Sequence, residues 1–154
     1  MYDNRLIIAF SKSAEEVNSL AERFISALLG QKPHPRSQGQ YIEYSSVGGA
    51  QFSFEASAHL TKMRFKLRHA IFDDGESKYL VGEFDWYFPD AQGKFQLSGN
   101  GIQLIPTVNV LLPGGTYFEL YSGSDESELE RLELAVSQLV MHEIQSRMVL
   151  IEKH

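Results

Sequence analysis

Four basic side chains recur at every second position of one segment, a pattern that could hold phosphate groups. They are Lys62, Arg64, Lys66 and Arg68, and cationic side chains supply many of the contacts that proteins make to phosphate oxygens. A later segment carries Glu83 and Asp85, which we expect to face two of these cations, leaving Lys62 and Arg64 without an acid opposite. We therefore interpret the row as the solvated face of an amphipathic strand.

An acidic turn is the second candidate. Asp73, Asp74 and Glu76 lie close together in the sequence, and carboxylates are ligands that divalent cations prefer. Glu76-Ser77-Lys78 also matches the Glu-x-Lys pattern of some metal-dependent nucleases. Asp and Gly are equally what a turn needs for backbone reasons, and we expect a hairpin tip here rather than the wall of a cleft. Because the histidines also lack a ligand spacing, the sequence predicts no metal site and no cofactor.

His69 could act as a general base or as the polar anchor of a pocket. Alternation places it on the apolar side of its strand, opposite Gly82, whose missing side chain leaves room beside the imidazole. The alternative is a core histidine bonded to a backbone carbonyl, and the aromatic residues nearby would equally form core. No Gly-x-Ser-x-Gly elbow occurs, so no catalytic residue is assigned. The candidate ligand-binding residues are His69, Gly82, Phe65, Trp86, Phe84 and Tyr117.

Length and composition limit what these residues can do. The chain has 154 residues, the size of one domain, and we treat 1–154 as a single domain. The absence of cysteine excludes disulfides, thiolate nucleophiles and Cys-based zinc sites. A formal net charge of −6 disfavours nucleic acid as a partner. The apolar run Leu6–Phe10 is too short for a signal peptide or a membrane span, so we expect a cytoplasmic protein.

Hydrophobic spacing predicts a strand and then a helix at the start of the chain. Arg5–Ser11 is rich in β-branched and aromatic residues, which is typical of a strand. Ser13–Glu16 has the sequence of a capping box, and a helix with apolar residues at helical intervals should follow as far as Gly30. Gln31–Gln40 should be a loop.

From Tyr41 onward the apolar residues alternate as in strands. Seven strands are predicted, separated by turns rich in Gly, Pro or Asn. They cover Tyr41–Val47, Gln51–Ala58, Thr61–Phe72, Lys78–Phe88, Lys94–Gly99, Ile102–Leu112 and Thr116–Tyr121. Asn100-Gly101 favours a type I′ hairpin, and Pro106 indicates a bulge or an edge within its strand. The strands should therefore form an antiparallel meander.

The pairing of the two central strands can be derived from their turn. A two-residue loop Gly75-Glu76 fits a type II′ turn, which favours Gly at its first central position. Pairs then run outward from Asp73–Lys78 through His69–Gly82 to Phe65–Trp86, with opposite charges together on one face and apolar residues on the other. A slip of one residue would place cations against apolar partners, so this register is the most constrained prediction.

A long helix is predicted at the end of the chain. Ser124 should cap it, and acidic residues follow in its first turns, where the helix dipole favours them. An apolar stripe then continues from Leu129 to Ile151. At about 1.5 Å per residue such a helix reaches about 40 Å, enough to lie across a whole sheet.

These elements predict an α+β fold. A curved antiparallel β-meander of seven to eight strands must cover its apolar face with the N-terminal helix and the long C-terminal helix. The order β-α-(β)₇-α resembles the helix-grip arrangement of START-like lipid-transfer and polyketide-cyclase proteins over most of the chain. It departs from them in having one helix where they usually have two, and one extra strand. The resemblance implies a pocket between the sheet and the C-terminal helix.

The sequence leaves more than one function open. The first is a non-catalytic binding domain that holds a small apolar ligand between the sheet and the C-terminal helix, near His69, Trp86 and Tyr117 or Tyr121. The alternative is a protein-interaction module, an immunity- or chaperone-like protein that masks a basic partner, favoured by the net charge and the acidic start of the last helix. A small enzyme with His69 as base is a further alternative, although no catalytic constellation supports it. A homodimer is compatible with either of the first two.

Overall fold

A computed structural model describes residues 2–30 and 42–153, so the predicted loop Gln31–Gln40 lies outside the described residues. The strands lie in sequence order across one curled, half-barrel sheet, each antiparallel to the next. The fold is α+β, as predicted. The elements in chain order are α1 Asn4–Gly30, β1 Glu43–Ser46, β2 Ser53–Ala58, β3 Thr61–Asp73, β4 Lys78–Pro89, β5 Phe95–Ile105, β6 Asn109–Leu111, β7 Tyr117–Glu119 and α2 Glu126–Gln145.

Helix α1 begins at Asn4, so the predicted strand Arg5–Ser11 is wrong. Asp3 caps the helix, because its Oδ1 accepts a backbone N–H of the first turn at 3.0 Å. Phe10 of the apolar run lies at helical spacing with Val17 and packs against the core, whereas Leu6, Ile7 and Ile8 are exposed. The predicted capping box at Ser13–Glu16 consequently lies inside the helix. Within residues 2–30 no strand is present, so the described elements lack the first strand of the predicted order β-α-(β)₇-α.

The predicted register of β3 and β4 is confirmed. The strands pair from Asp73–Lys78 through His69–Gly82 to Phe65–Trp86. Gly75 in the connecting turn has φ 90°, the left-handed conformation that a type II′ turn requires at this position. Opposite charges therefore share one face of the hairpin and apolar residues the other.

Asn100-Gly101 forms a β-bulge rather than the predicted hairpin. β5 continues through the dipeptide, and its pairing with β4 shifts by one residue at Gly101, whose φ is 130°. The pairing shifts again at Ser98. A bulge bends its strand and often uses the positive φ that Gly tolerates, so the dipeptide that favours a turn here bends a continuous strand.

The predicted strand Ile102–Leu112 is divided at Pro106 into β5 and β6. Thr107 in the connecting turn has φ 88°, which is uncommon for a β-branched residue. Arg23 of α1 holds this turn, because its guanidinium donates to the carbonyl oxygens of Thr107 at 3.3 Å and of Leu120 at 3.1 Å. Helix α1 is thereby tied to the chain on both sides of β6 and β7.

Helix α2 starts one residue later than predicted. Its N-cap is Asp125, whose side chain accepts the backbone N–H of Glu128 at 2.9 Å. Ser124, the predicted cap, instead accepts the backbone N–H of Tyr121 at 2.8 Å. Ser124 therefore fixes the connection between β7 and α2 rather than the helix itself.

The end of α2 at Gln145 falls short of the predicted Ile151. The last turn tightens at this point, because the Arg147 N–H donates to the Ile144 carbonyl at 3.1 Å, while the Arg147 side chain donates to the carbonyl oxygen of Glu143 at 2.8 Å. That carbonyl is the acceptor that the Arg147 N–H would need to continue the helix. Met148 and Ile151 consequently lie beyond the helix and are exposed.

Both helices cover the apolar face of the sheet. Helix α1 contributes its buried stripe from Val17 to Leu28, and α2 its stripe from Leu132 to Ile144. No helix within residues 2–30 and 42–153 is both long enough and apolar enough to cross a membrane.

A buried hydrogen-bond chain fixes α2 to the β1 edge of the sheet. The Ser137 hydroxyl donates to Glu133 at 3.0 Å, and since it has one hydrogen it must accept from the Tyr44 hydroxyl, 2.8 Å away. The Tyr44 ring is half-buried, whereas its hydroxyl points into the protein against α2. Burial raises the pKa of Tyr44 well above its ordinary value of 10.0, and the charge of Glu133 adds to the shift.

Replacement of Tyr44 by Phe should change the alkaline stability of the protein. Because folding favours the protonated phenol, Tyr44 stabilises the fold fully below pH 10.0 and progressively less as the pH rises above that value. We expect Tyr44→Phe to lose about 1 kcal/mol near neutral pH, from the missing hydrogen bond, and to decline less steeply above pH 10.0 than the wild type. Urea unfolding at several pH values measures both effects. Tyr117→Phe, which alters an exposed side chain, is the control, and equal alkaline slopes for Tyr44→Phe and wild type would contradict the assignment.

Candidate functional site

The aromatic residues expected to line a pocket are packed in the core. Phe65 and Phe84 are fully buried and Trp86 nearly so. Phe65 stacks on Phe54 of β2 with 4.5 Å between ring centroids, and Phe84 lies 5.3 Å from Phe24 of α1. Side chains of α1 and β2 therefore occupy the space beside these rings in which we expected an apolar ligand.

The indole of Trp86 is closed off on one side by backbone. A Cβ added to Gly99 would lie 2.3 Å from Trp86 Nε1, so the ring rests directly on the glycine of the neighbouring strand. Within the described part of the chain, this Nε1 is buried without a hydrogen-bond partner. A buried donor left unpaired costs about 1–3 kcal/mol, which the close packing of the ring has to offset.

His69 and Gly82 lie opposite each other as predicted, and α1 contacts both. His69 is exposed, with its Nε2 at 2.8 Å from the side-chain oxygen of Asn18. A Cβ on Gly82 would lie 2.5 Å from Val17 Cγ1 and 3.0 Å from Leu67 Cδ1. The room that the sequence suggested beside Gly82 is thus filled by the helix, and Gly82 allows α1 to approach β4 closely.

Tyr117 is not brought together with the other candidate residues. Its partners across the sheet follow one row from β7 to β3, namely Leu111, Gln103, Glu83 and Arg68. Alternation places that row on the face opposite Phe65 and Phe84. Tyr117 is 63% exposed and belongs to the outer face of the sheet at its β7 edge.

The outer-face cations are paired differently from the prediction, which expected acid partners for Lys66 and Arg68. Arg68 contacts both Glu83 and Asp85, the latter at 2.8 Å. Arg64, expected to lack an acid, donates two hydrogen bonds to Glu55 of β2 at 2.9 and 3.0 Å. Lys66 lies over the ring of Tyr87 rather than on an acid, with 5.0 Å to the ring centroid. Both guanidinium groups in the row therefore have carboxylate partners, which supports the interpretation of a solvated strand face.

The acidic turn uses its carboxylates to hold its own backbone. Asp74 Oδ1 accepts the N–H groups of Glu76 at 2.9 Å and Ser77 at 2.7 Å, and Asp73 accepts that of Gly75 at 2.9 Å. These hydrogen bonds hold the pKa of Asp74 below its usual range. No group of three or more His, Cys, Asp or Glu side chains within residues 2–30 and 42–153 is arranged to hold a metal ion.

A cleft between β7 and α2 is the site that the sequence reasoning missed. It has a volume of about 270 Å³, with Tyr117–Tyr121 on one wall and Glu128, Arg131 and Leu132 on the other. Glu119 and Glu128 supply two exposed carboxylates. The Arg131 guanidinium lies 5.7 Å from the ring centroid of Phe118 and so links the two walls. We refer to this feature as the β7–α2 cleft.

The side chains of the β7–α2 cleft are held by local contacts. The Tyr121 hydroxyl donates to Glu119 at 2.8 Å, which orients that carboxylate and raises the pKa of Tyr121. Asp125, at the start of α2, accepts the Glu128 N–H, which lowers its pKa and keeps the carboxylate ionised. The last strand of a meander must be an edge, so the β7 wall could have been inferred from sequence, whereas the position of α2 beside it could not.

Comparison of the chain with protein-family models, with curated proteins and with solved structures gives no match. The function therefore has to be argued from the geometry of the molecule itself.

Replacement of Gly82 by Ala tests whether the space beside His69 is filled. Because the added Cβ meets Val17 on a buried helix, we expect the free energy of unfolding to fall by about 1–3 kcal/mol. Gly123→Ala is the matched control, since a Cβ there meets nothing within 4 Å and its φ lies outside the left-handed region. Urea unfolding compares the two variants. Stability of Gly82→Ala equal to that of the control would mean that room for a ligand remains above Gly82.

Proposed function

We propose that this protein is a non-catalytic protein-interaction module that binds a basic partner at the β7–α2 cleft. The observation that carries the proposal is that two exposed acidic residues, Glu119 of β7 and Glu128 of α2, line the same cleft. Carboxylates arranged in this way attract Lys and Arg side chains and raise the rate at which a basic surface associates.

The charge around the cleft supports the same partner chemistry. Asp125, Glu126 and Glu130 add three acids in the first turns of α2, and the whole chain has a formal net charge of −6. Arg131 is the base among the cleft residues, and it lies over Phe118. A partner with excess positive charge would therefore gain electrostatic energy at this face, while an acidic partner or a nucleic acid would be repelled. Because the chain has no cysteine, we place the interaction in the cytoplasm.

A small apolar ligand between the sheet and α2 stays a prediction with less support. Phe65, Phe84 and Trp86 contact neighbouring side chains or backbone on the faces where such a ligand would bind. His69, the suggested polar anchor or general base, is exposed and bonded to Asn18. A rise in melting temperature with any member of a panel of fatty acids, sterols and aromatic ligands would restore this hypothesis.

Neutralising the cleft should weaken partner binding without unfolding the protein. We compare wild type with the double variant Glu119→Gln/Glu128→Gln, and use Glu15→Gln/Glu22→Gln on the exposed side of α1 as a control with the same change in net charge. We expect affinity capture from cells that produce the protein to yield a basic, salt-eluted partner with wild type and control. Its apparent affinity should fall about tenfold or more with the cleft variant.

Two results would contradict the proposed function. One is a partner that binds the cleft variant as tightly as it binds the control. The other is the absence of any stoichiometric partner at low ionic strength, where attraction between exposed charges is strongest.

A further inference from the structure

We propose that the partner binds in an extended conformation and adds a strand to the open edge of β7. This inference rests on the proposed function and adds the form of the bound segment. The segment would carry Lys or Arg on one face and an apolar side chain on the other. Strand addition of this kind combines main-chain hydrogen bonds, which give affinity, with alternating side chains, which give specificity.

The first argument is the direction of the backbone groups of β7. Hydrogen bonds from Leu120 N–H to the Val108 carbonyl at 2.7 Å and from Leu112 N–H to the Thr116 carbonyl at 2.8 Å mark the bonded pairs of the β6–β7 ladder. Bonded pairs recur every second residue in an antiparallel ladder, so Phe118 also faces β6.

The two residues beside Phe118 must then present their backbone groups to the other side. The N–H and C=O of Tyr117 and Glu119 point away from β6, and no strand pairs with β7 on that side within the described residues. An edge of this kind is a template for an added strand. It offers two donors and two acceptors, enough to pair with a short extended segment.

The second argument is the space beside that edge. The β7–α2 cleft borders all of β7 and has a volume of about 270 Å³. A strand paired with β7 would lie roughly 4.8 Å from it, between β7 and α2. The side chain opposite Phe118 would point towards Leu132, which favours an apolar residue at that position. Side chains opposite Tyr117 and Glu119 would share their outer face, which favours Lys or Arg beside the Glu119 carboxylate.

The edge is held in place before any partner binds. Arg23 donates to the Leu120 carbonyl at 3.1 Å, and Ser124 accepts the Tyr121 N–H at 2.8 Å. These contacts fix the chain immediately after β7, so little ordering of the protein is needed for pairing.

The same edge does not suit a second copy of this chain. Two β7 strands paired edge to edge would bring their Glu119 carboxylates and the acidic starts of both α2 helices to one interface. Like charges placed in this way are destabilising, and the net charge of each copy adds to the repulsion. A basic segment of a different protein would place positive charges beside these carboxylates and so avoid this repulsion.

The experiment selects the ligand from random sequences, so the partner need not be identified first. A phage-displayed library of random twelve-residue peptides is panned against the full chain, and a selected peptide is synthesised. Amide hydrogen exchange by NMR then reports on the edge. We expect the peptide to slow exchange of the Tyr117 and Glu119 amides at least about tenfold, and to leave the Phe118 amide, already bonded to β6, unchanged.

N-methylation of the peptide provides the matched control, and it leaves the folding of the protein untouched. A methyl group on an amide that pairs with β7 should weaken binding at least about tenfold, whereas a methyl group on the next amide, which faces away, should be tolerated. Tolerance of methylation at both positions would overturn strand addition. So would unchanged exchange at Tyr117 and Glu119 in the bound state, or failure of the library to yield any binder.

Two further outcomes separate this inference from the proposed function. A peptide that loses affinity for Glu119→Gln/Glu128→Gln but protects neither edge amide would leave the acidic interaction site intact and overturn only the added strand. Protection of both amides without peptide, together with a dimer in sedimentation velocity, would assign the edge to a second copy and overturn the inference.

Discussion

Phe84 lies where helix α1 meets the sheet, with its ring centroid 5.3 Å from that of Phe24 and 5.5 Å from that of Phe54. This contact between three buried rings determines which face of β4 is apolar. Because side chains alternate along a strand, the inward orientation of Phe84 places Glu83 and Asp85 on the outer face. The pairing of β4 with β3 places Arg68 beside them on that face. The core and the polar outer face are therefore consequences of one packing arrangement.

Helix α2 contacts the two edges of the sheet in different ways. At β1 it is joined by the buried chain from Tyr44 through Ser137 to Glu133. At β7 it is separated from the strand by a cleft that only Arg131, over the ring of Phe118, bridges among the cleft residues. At β1 the helix and the sheet are thus joined by a side-chain hydrogen bond in the interior, while beside β7 exposed carboxylates line the cleft between them. This asymmetry sets apart the β7 end of the meander, where we propose that a partner binds.

Alternation and turn chemistry predicted the centre of the sheet well because both are local. The β3–β4 register followed from Gly75-Glu76 and from the charges on one face. The same local signals gave wrong predictions where one local sequence is compatible with two different structures. Arg5–Ser11 fits a strand by residue type but belongs to a helix capped by Asp3, and Asn100-Gly101 suits a bulge as well as a turn.

The candidate site was less accessible to sequence reasoning, because it depends on how separate elements pack. Gly82 was correctly placed opposite His69, but nothing local indicates that Val17 fills the space above it. Tyr117 was expected near the pocket with His69 and Trp86, whereas the row that it shares with Arg68 lies on the outer face of the sheet. The β7–α2 cleft combines residues from two elements. Hydrophobic periodicity predicts each element but not how the two are positioned relative to each other. Sequence patterns therefore identified the elements that carry the site, but not the surface between them.

The order of the strands also has a consequence for how the chain folds. Within the described residues, each strand pairs only with its neighbours in sequence, so the sheet can form by closing short loops one after another. Contacts between distant parts of the chain are concentrated at the helices, with Arg23 and Leu120 separated by 97 residues and Tyr44 and Ser137 by 93. Because the entropic cost of closing a loop grows with its length, docking of the helices has the largest entropic cost of loop closure in the folding of this protein. Early hairpins and late docking of the helices are the order that this topology favours.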